Sequence, residues 1–207
     1  MIPGRPGSPF SMSIVDLGPG AQRLANLIAR VGDDELVKPT PCPSYTLGDL
    51  IEHVGGLALA FTAAANKDGG RYVEGAPSGD ASRLEEGWRV RISRDLTALA
   101  EAWRKPAAWA GTTRIAGMDS PAEMVGLTAA DELVVHGWDV ARATGQPYAC
   151  EPELLAAAAS FLALFASPDA PAGPDVAFGP SRRVPAGAPE LERVVALAGR
   201  DPGWSLG

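Results

Sequence analysis

The residues best suited to chemistry in this chain are few. There are only two histidines, His53 and His136. His136 follows Glu132 by four positions in the stretch Asp131-Glu132-Leu133-Val134-Val135-His136-Gly137-Trp138-Asp139. On a helix, residues i and i+4 lie one turn apart on the same face, so this carboxylate and imidazole can reach one ion together. A third donor, His53 in Asp49-Leu50-Ile51-Glu52-His53, would have to come from another helix. The pattern points to a divalent-metal site of His53, Glu132 and His136 inside a helical bundle. The same spacing is common on helix surfaces, where such a pair bonds only itself. The elements that carry these residues therefore have to decide between the two readings.

Those elements read as helices. Leu17, Ala21, Leu24, Leu27, Ile28 and Val31 recur at helical spacing within residues 15–31, with a start expected after Pro19. A rigid extended loop with Pro39, Pro41 and Pro43 follows. Thr46 can cap a second helix over 46–66, with Asp49 at the third position as an Asp variant of the capping box. Leu50, His53, Leu57, Ala60 and Ala64 share one stripe of it, which turns His53 inward. Gly55 and Gly56 follow directly; interior helix glycines cost about 1 kcal/mol each, so they suggest close approach of another backbone or of a ligand. Residues 67–80 read as a loop and 82–103 as a third helix through Leu84, Trp88, Ile92, Leu96, Leu99 and Trp103. A connection over 105–119 contains one short β-prone run, 112–115. Ser120-Pro121-Ala122-Glu123 then has the form of a helix start. That helix should run to Thr144 and stop at Gly145, placing Val125, Ala129, Glu132, His136, Val140 and Ala143 on one small-residue stripe. A fifth helix is expected over 153–165 and a short one over 190–198.

Composition fits this reading. The apolar fraction of 46% suffices for a core, and Ala, Leu and Val outweigh the 6% of aromatics, which favours helices over sheets. The expected division is a disordered leader over 1–12, a bundle over 13–166 and a Pro/Gly-rich tail over 167–207. A net charge of −7 without a basic cluster argues against nucleic acid as a partner. The leader lacks the continuous apolar run of a signal peptide, and no stretch is expected to approach a membrane span of ~20 apolar residues. The expected location is the cytoplasm, with Cys42 and Cys150 reduced.

Two longer motifs carry a resemblance. Thr40-Pro41-Cys42-Pro43-Ser44-Tyr45-Thr46-Leu47-Gly48-Asp49-Leu50-Ile51-Glu52-His53 resembles a T-P-C-P-x-W-x-x-x-D-L-x-x-H signature, with Tyr45 in the place of Trp. Residues 131–145 resemble a second one, E-x-x-x-H-x-W-D-[LV]-A-R-A-T-G. Both belong to the actinobacterial family of mycothiol-dependent maleylpyruvate isomerase N-terminal domains, within the DinB-like superfamily. The resemblance implies an all-α, DinB-like four-helix bundle, here with an additional C-terminal helix and a Pro/Gly-rich tail. It implies a divalent metal on His53, Glu132 and His136, zinc in first place, with nickel or iron as alternatives. It also implies mycothiol as a small-molecule thiol cosubstrate, an electrophilic substrate, and pairing into homodimers. The isomerase carries a C-terminal α/β domain that contributes to its active site; the tail over 167–207 stands in its place here, so the metal site carries over more readily than that one reaction.

The neighbours of the three donors have roles to be decided. Asp49, one turn before His53, and Asp139, three residues after His136, could each orient a histidine from behind; the alternatives are helix capping for Asp49 and an ion pair with Arg142 for Asp139. Trp138 and Gly56 are candidate pocket residues, Trp138 alternatively a core side chain. Cys42 is a free loop thiol or a group near the metal. Glu52 and Asp131 should point away from their ligand neighbours. Three functions remain open: a metal-dependent enzyme that activates a thiol for isomerisation or S-transfer; a metal-binding module without turnover, serving as sensor, buffer or stress-response protein; and metal-assisted hydrolysis, which lacks a further histidine as base.

Overall fold

The computed structural model describes residues 14–68, 77–170 and 179–206. The expected leader over 1–12, part of the 67–80 loop and part of the tail lie outside them. Four helices form the bundle: α1 (Gly18–Ile28), α2 (Leu47–Ala65), α3 (Trp88–Trp103) and α5 (Ala122–Thr144). Around the bundle axis the order is α1, α3, α2, α5, each packing on two neighbours. Between α3 and α5 lie the short α4 (Pro106–Trp109) and a hairpin of β1 (Thr112–Ile115) and β2 (Met118–Pro121). Helix α6 (Pro152–Leu162) packs on α5, and α7 (Glu190–Leu197) packs on α6 and α5.

The helices have local causes. In α2, Thr46 Oγ1 accepts from the Asp49 N–H and Asp49 Oδ2 accepts from the Thr46 N–H, the expected reciprocal box. Leu50, Ile51, Val54, Phe61 and Ala64 are buried from it. By length and composition α2 could cross a membrane, contrary to the expectation that no stretch comes near that. Its apolar faces, however, are spent on the bundle core.

Three helix starts differ from expectation. Helix α1 already includes Gly18, because proline is tolerated in a first turn where its missing N–H has no partner to lose. Helix α3 begins at Trp88 rather than 82: Gly87 sits at φ +78, and residues 81–83 form a separate single turn capped by Asp80. Ser120 caps nothing; it pairs with Thr113 across the hairpin, whose tip Ala116-Gly117 takes positive φ at both residues. Hairpin pairing and a helix cap compete for the same residue, and the β-prone run 112–115 supplies the partner strand. At the other end, Gly145 stops α5 at φ +68 as expected.

The first turns of α5 are held by two tryptophans. Trp103 Nε1 donates to Phe61 O at 3.1 Å, Trp109 Nε1 donates to Trp103 O at 2.6 Å, and the two rings meet edge to face at 5.0 Å. They lie against Gly126, where a Cβ would run into the Trp109 ring and come within 2.8 Å of Trp103. Alanine at this position gains up to ~1 kcal/mol of helix propensity but overpacks a filled core at a cost of about 1–3 kcal/mol. Gly126→Ala is therefore expected to lower the urea midpoint of unfolding; an unchanged or raised midpoint would show that the tryptophans do not fix α5.

Candidate metal centre

The site is made where α2 faces α5. One face of α2 carries His53 and one face of α5 carries Glu132 and His136. One donor atom from each of the three lies within 4.8 Å of the others. His136 Nε2 is 2.8 Å from Glu132 Oε2, and the two imidazole rings meet edge to face with centroids 5.2 Å apart. The His136 side chain is buried, whereas Glu132, whose side chain is 24% exposed, and His53 are half-buried.

Each histidine is held at its other nitrogen. His136 Nδ1 lies 3.0 Å from Asp139 Oδ2. His53 Nδ1 lies 2.8 Å from the carbonyl of Pro77. A carbonyl only accepts, so His53 Nδ1 is the donor and carries the proton. Asp49 does not fill the orienting role open to it: its carboxylate is taken by Thr46 and by the Ala81 N–H at 2.8 Å, which is its capping alternative. Asp139 bonds His136 and not Arg142. Arg142 instead reaches the carbonyl of Pro202 and lies over the Trp138 ring.

The partner of Asp139 is Arg200, which sequence reasoning passed over. Its Nη2 is 2.9 Å from Asp139 Oδ2 and its Nε 3.3 Å from Oδ1. Arg200 sits just past α7, beyond Gly199 at φ +82, in a stretch read as coil. A lone arginine in a Pro/Gly-rich tail carries no periodic signal; the only local hint was the short helix before it.

The other singled-out residues divide. Trp138, two residues from His136 and so about 200° round the helix, is buried beneath the Arg142 guanidinium. Gly55 and Gly56 make room for side chains rather than for another backbone; a Cβ on Gly55 would meet Ile92 at 3.1 Å and one on Gly56 would meet Pro77 at 2.7 Å. Cys42 is buried in its loop, unpaired, and outside the donor cluster. Glu52 turns to Arg83. Asp131 is buried, with no partner for Oδ1 among the described residues.

Charge explains how these groups tolerate burial. Burial pulls His53 down to about 4, helped by the neighbouring His136. Burial pulls the same way on His136, but the carboxylates of Glu132 and Asp139 overcome it and push it up to about 10. Burial opposes ionisation of Glu132 and Asp139 too; the charge of His136 for the first, and of Arg200 and then His136 for the second, hold both below the usual carboxylate range. At Asp131 burial and the neighbouring Glu132 carboxylate outweigh the pull of His136 and Arg200 and raise it well above that range. The metal-free cluster is thus an imidazolium between two carboxylates. An ion of charge +2 can take the proton's place at Nε2, with Glu132 and His53 as further donors.

The comparisons with known proteins agree with this fold. Residues 17–141 match the model of the family described as mycothiol maleylpyruvate isomerase N-terminal domain. An uncharacterized protein of Mycobacterium tuberculosis, in strains CDC 1551 / Oshkosh and H37Rv, is 31% identical over 182 residues, covering 85% of this chain and 91% of its own length. Among solved structures, the mycothiol-dependent maleylpyruvate isomerase aligns with a TM-score of 0.50 at 20% identity, and a histidine-to-alanine mutant of it with 0.51 at 17%. Both alignments cover 69% of this chain but 65% of the isomerase, so this chain spans less than two thirds of that protein.

The raised pKa of His136 has a consequence for stability. A proton that the folded state holds up to about 10 and the unfolded state releases near 6.5 contributes fully below 6.5 and is lost as pH rises through 10. Asp131, raised from 3.8, acts in the same direction. The stability of the metal-free protein should therefore fall between pH 6.5 and 10, and His136→Gln should flatten that fall. Urea unfolding at stepped pH measures it; equal slopes in both proteins would contradict the assignment.

Proposed function

Since the chain belongs to the mycothiol maleylpyruvate isomerase N-terminal domain family, we propose that it binds one divalent ion, zinc in first place, on His53, Glu132 and His136 and uses it on a small-molecule thiol. The observation that carries this reading is the convergence of three donors from two helices, with each histidine bonded from behind by an acceptor. Metal-binding histidines have this arrangement. The donor set, two imidazoles and a carboxylate, is that of catalytic zinc sites with an open position.

When bound, the ion would lower the pKa of a thiol at that open position and so raise its thiolate fraction. The residues of the chain supply the rest. Asp139, held ionised by Arg200, keeps the proton on His136 Nδ1 and leaves Nε2 to the ion. The Pro77 carbonyl does the same for His53. Glu132 and His53, the half-buried donors, would face the approaching thiol and substrate. The thiol is mycothiol, as in the isomerase, and the substrate a small electrophile. Addition of the thiolate sulfur to an electrophilic carbon, followed by its expulsion, returns the thiol and gives isomerisation, the outcome the family favours. Loss of another group instead gives S-transfer. A cytoplasmic location, with both cysteines unpaired, belongs to the same proposal.

Metal analysis after dialysis against zinc, nickel or iron tests the site. One ion per chain is expected in the wild type, and Glu132→Gln and His136→Ala should each weaken binding by more than the roughly 10–100-fold typical of losing an outer partner. Mycothiol conjugation to, or isomerisation of, a model electrophile should require the ion. Full occupancy in both variants, or equal rates with and without metal, would refute the reading.

A further inference from the structure

His136 is oriented by a carboxylate on its own helix, but His53 is oriented by the backbone of a distant segment. That segment, residues 77–83, lies along α2 and is fastened to it at several points. Besides the bond from His53 to Pro77, the Gly79 N–H donates to Tyr45 Oη at 3.2 Å, the Asp80 N–H to Glu52 Oε2 at 3.1 Å, and the Ala81 N–H to Asp49 Oδ1 at 2.8 Å. Arg83 bonds the same Glu52 oxygen at 2.8 Å and also the Ser78 carbonyl. Two glycines make the fit possible. At Gly79 any Cβ would overlap the backbone carbonyl of Asp49, and at Gly56 a Cβ would stand 2.7 Å from Pro77 Cβ. The Tyr45 ring packs beside His53 at 5.1 Å between centroids.

We propose that residues 77–83 are a clasp that sets the tautomer of His53, with Glu52 and Gly56 as its positioning residues. Glu52 ties down the segment beyond Pro77, and the bare α-carbon of Gly56 lets Pro77 come down far enough for its carbonyl to accept a hydrogen bond from Nδ1–H. Nε2 is then the nitrogen left to an ion. The tautomer claim stands on these contacts alone; its consequence for metal affinity rests on the metal reading above. The pairing of a glycine, three residues after a histidine, with a proline on another segment also explains why the helix interior carries Gly56 at a cost in propensity.

The test uses metal-free full-length protein labelled with nitrogen-15 in histidine. Long-range nitrogen–proton correlation spectra distinguish the two neutral tautomers, and His136→Gln assigns the signals of the two rings. Wild-type His53 is expected in the Nδ1–H form. Gly56→Ala should shift His53 to a mixture of tautomers and weaken zinc binding, read by chelator competition, by about 10-fold, the low end for loss of an outer partner. A merely structural role would not do this, since alanine improves the helix. Adding Pro77→Gly to Gly56→Ala removes the Cβ that collides and should restore the wild-type spectrum. Glu52→Gln, which keeps the size of this half-buried side chain, should move the tautomer ratio in the same direction and covers the case in which Gly56→Ala fails to fold. A wild-type His53 in the Nε2–H form, or a tautomer ratio unmoved in both Gly56→Ala and Glu52→Gln, overturns the clasp. If the wild type binds no zinc, the metal reading fails by itself, while the metal-free spectra still decide the clasp.

Discussion

The site depends on a balance of charge inside the protein. Glu132, His136, Asp139 and Arg200 form a row of alternating sign, minus, plus, minus, plus, with contacts of 2.8, 3.0 and 2.9 Å between successive members. Any one of these charges buried alone would cost several kcal/mol after relaxation. Together they offset one another, and each makes at least one directed hydrogen bond. Removing the terminal Arg200 would leave Asp139 charged in the core without its strongest partner. The tail beyond α7 is thus part of the site: it delivers the cation that lets the carboxylate behind His136 remain ionised. Asp131, next in sequence to Glu132, is the group that this balance leaves out.

The scaffold serves to keep α2 and α5 in register. Helix α5 is fixed at its start by Trp103 and Trp109 against Gly126. In its middle, Tyr148 sits in the space left by Gly137 and donates to the Val134 carbonyl at 2.9 Å. At its end, Gln146 reaches back to the carbonyl of Leu27 on α1. Helix α2 is fixed at its start by the Thr46–Asp49 box and along one side by residues 77–83. His53, Glu132 and His136 thus ride on two elements whose ends and flanks are both tied.

Much of this was legible in the sequence, for a physical reason. Periodicity and capping are local, so the four bundle helices, the Thr46 box and the Gly145 stop could be read from residues close together in the chain. The inward faces of His53, Glu132 and His136 followed from the same stripes. What escaped was whatever depended on distant segments. Ser120 and Pro121 spell a helix start, yet a strand eight residues upstream claims them. Asp49 and Asp139 looked equivalent behind their histidines, but the Ala81 N–H and Arg200, each supplied from elsewhere, settle them differently. Neither the Pro77 carbonyl nor Arg200 has a signature, because a backbone oxygen has no residue type and a single arginine has no period.

Membership of the isomerase family gives the cluster its chemical context, and the partial cover of the isomerase leaves the substrate to be found. The claim on which everything else rests is the donor set, and X-ray absorption at the zinc edge of the loaded wild-type protein tests it most directly. The account predicts two imidazole nitrogens and one carboxylate oxygen at about 2.0–2.2 Å with no sulfur, and one sulfur at about 2.3 Å once mycothiol is added. Sulfur ligation before any thiol is added, which would bring in Cys42, or fewer than two imidazoles would contradict it.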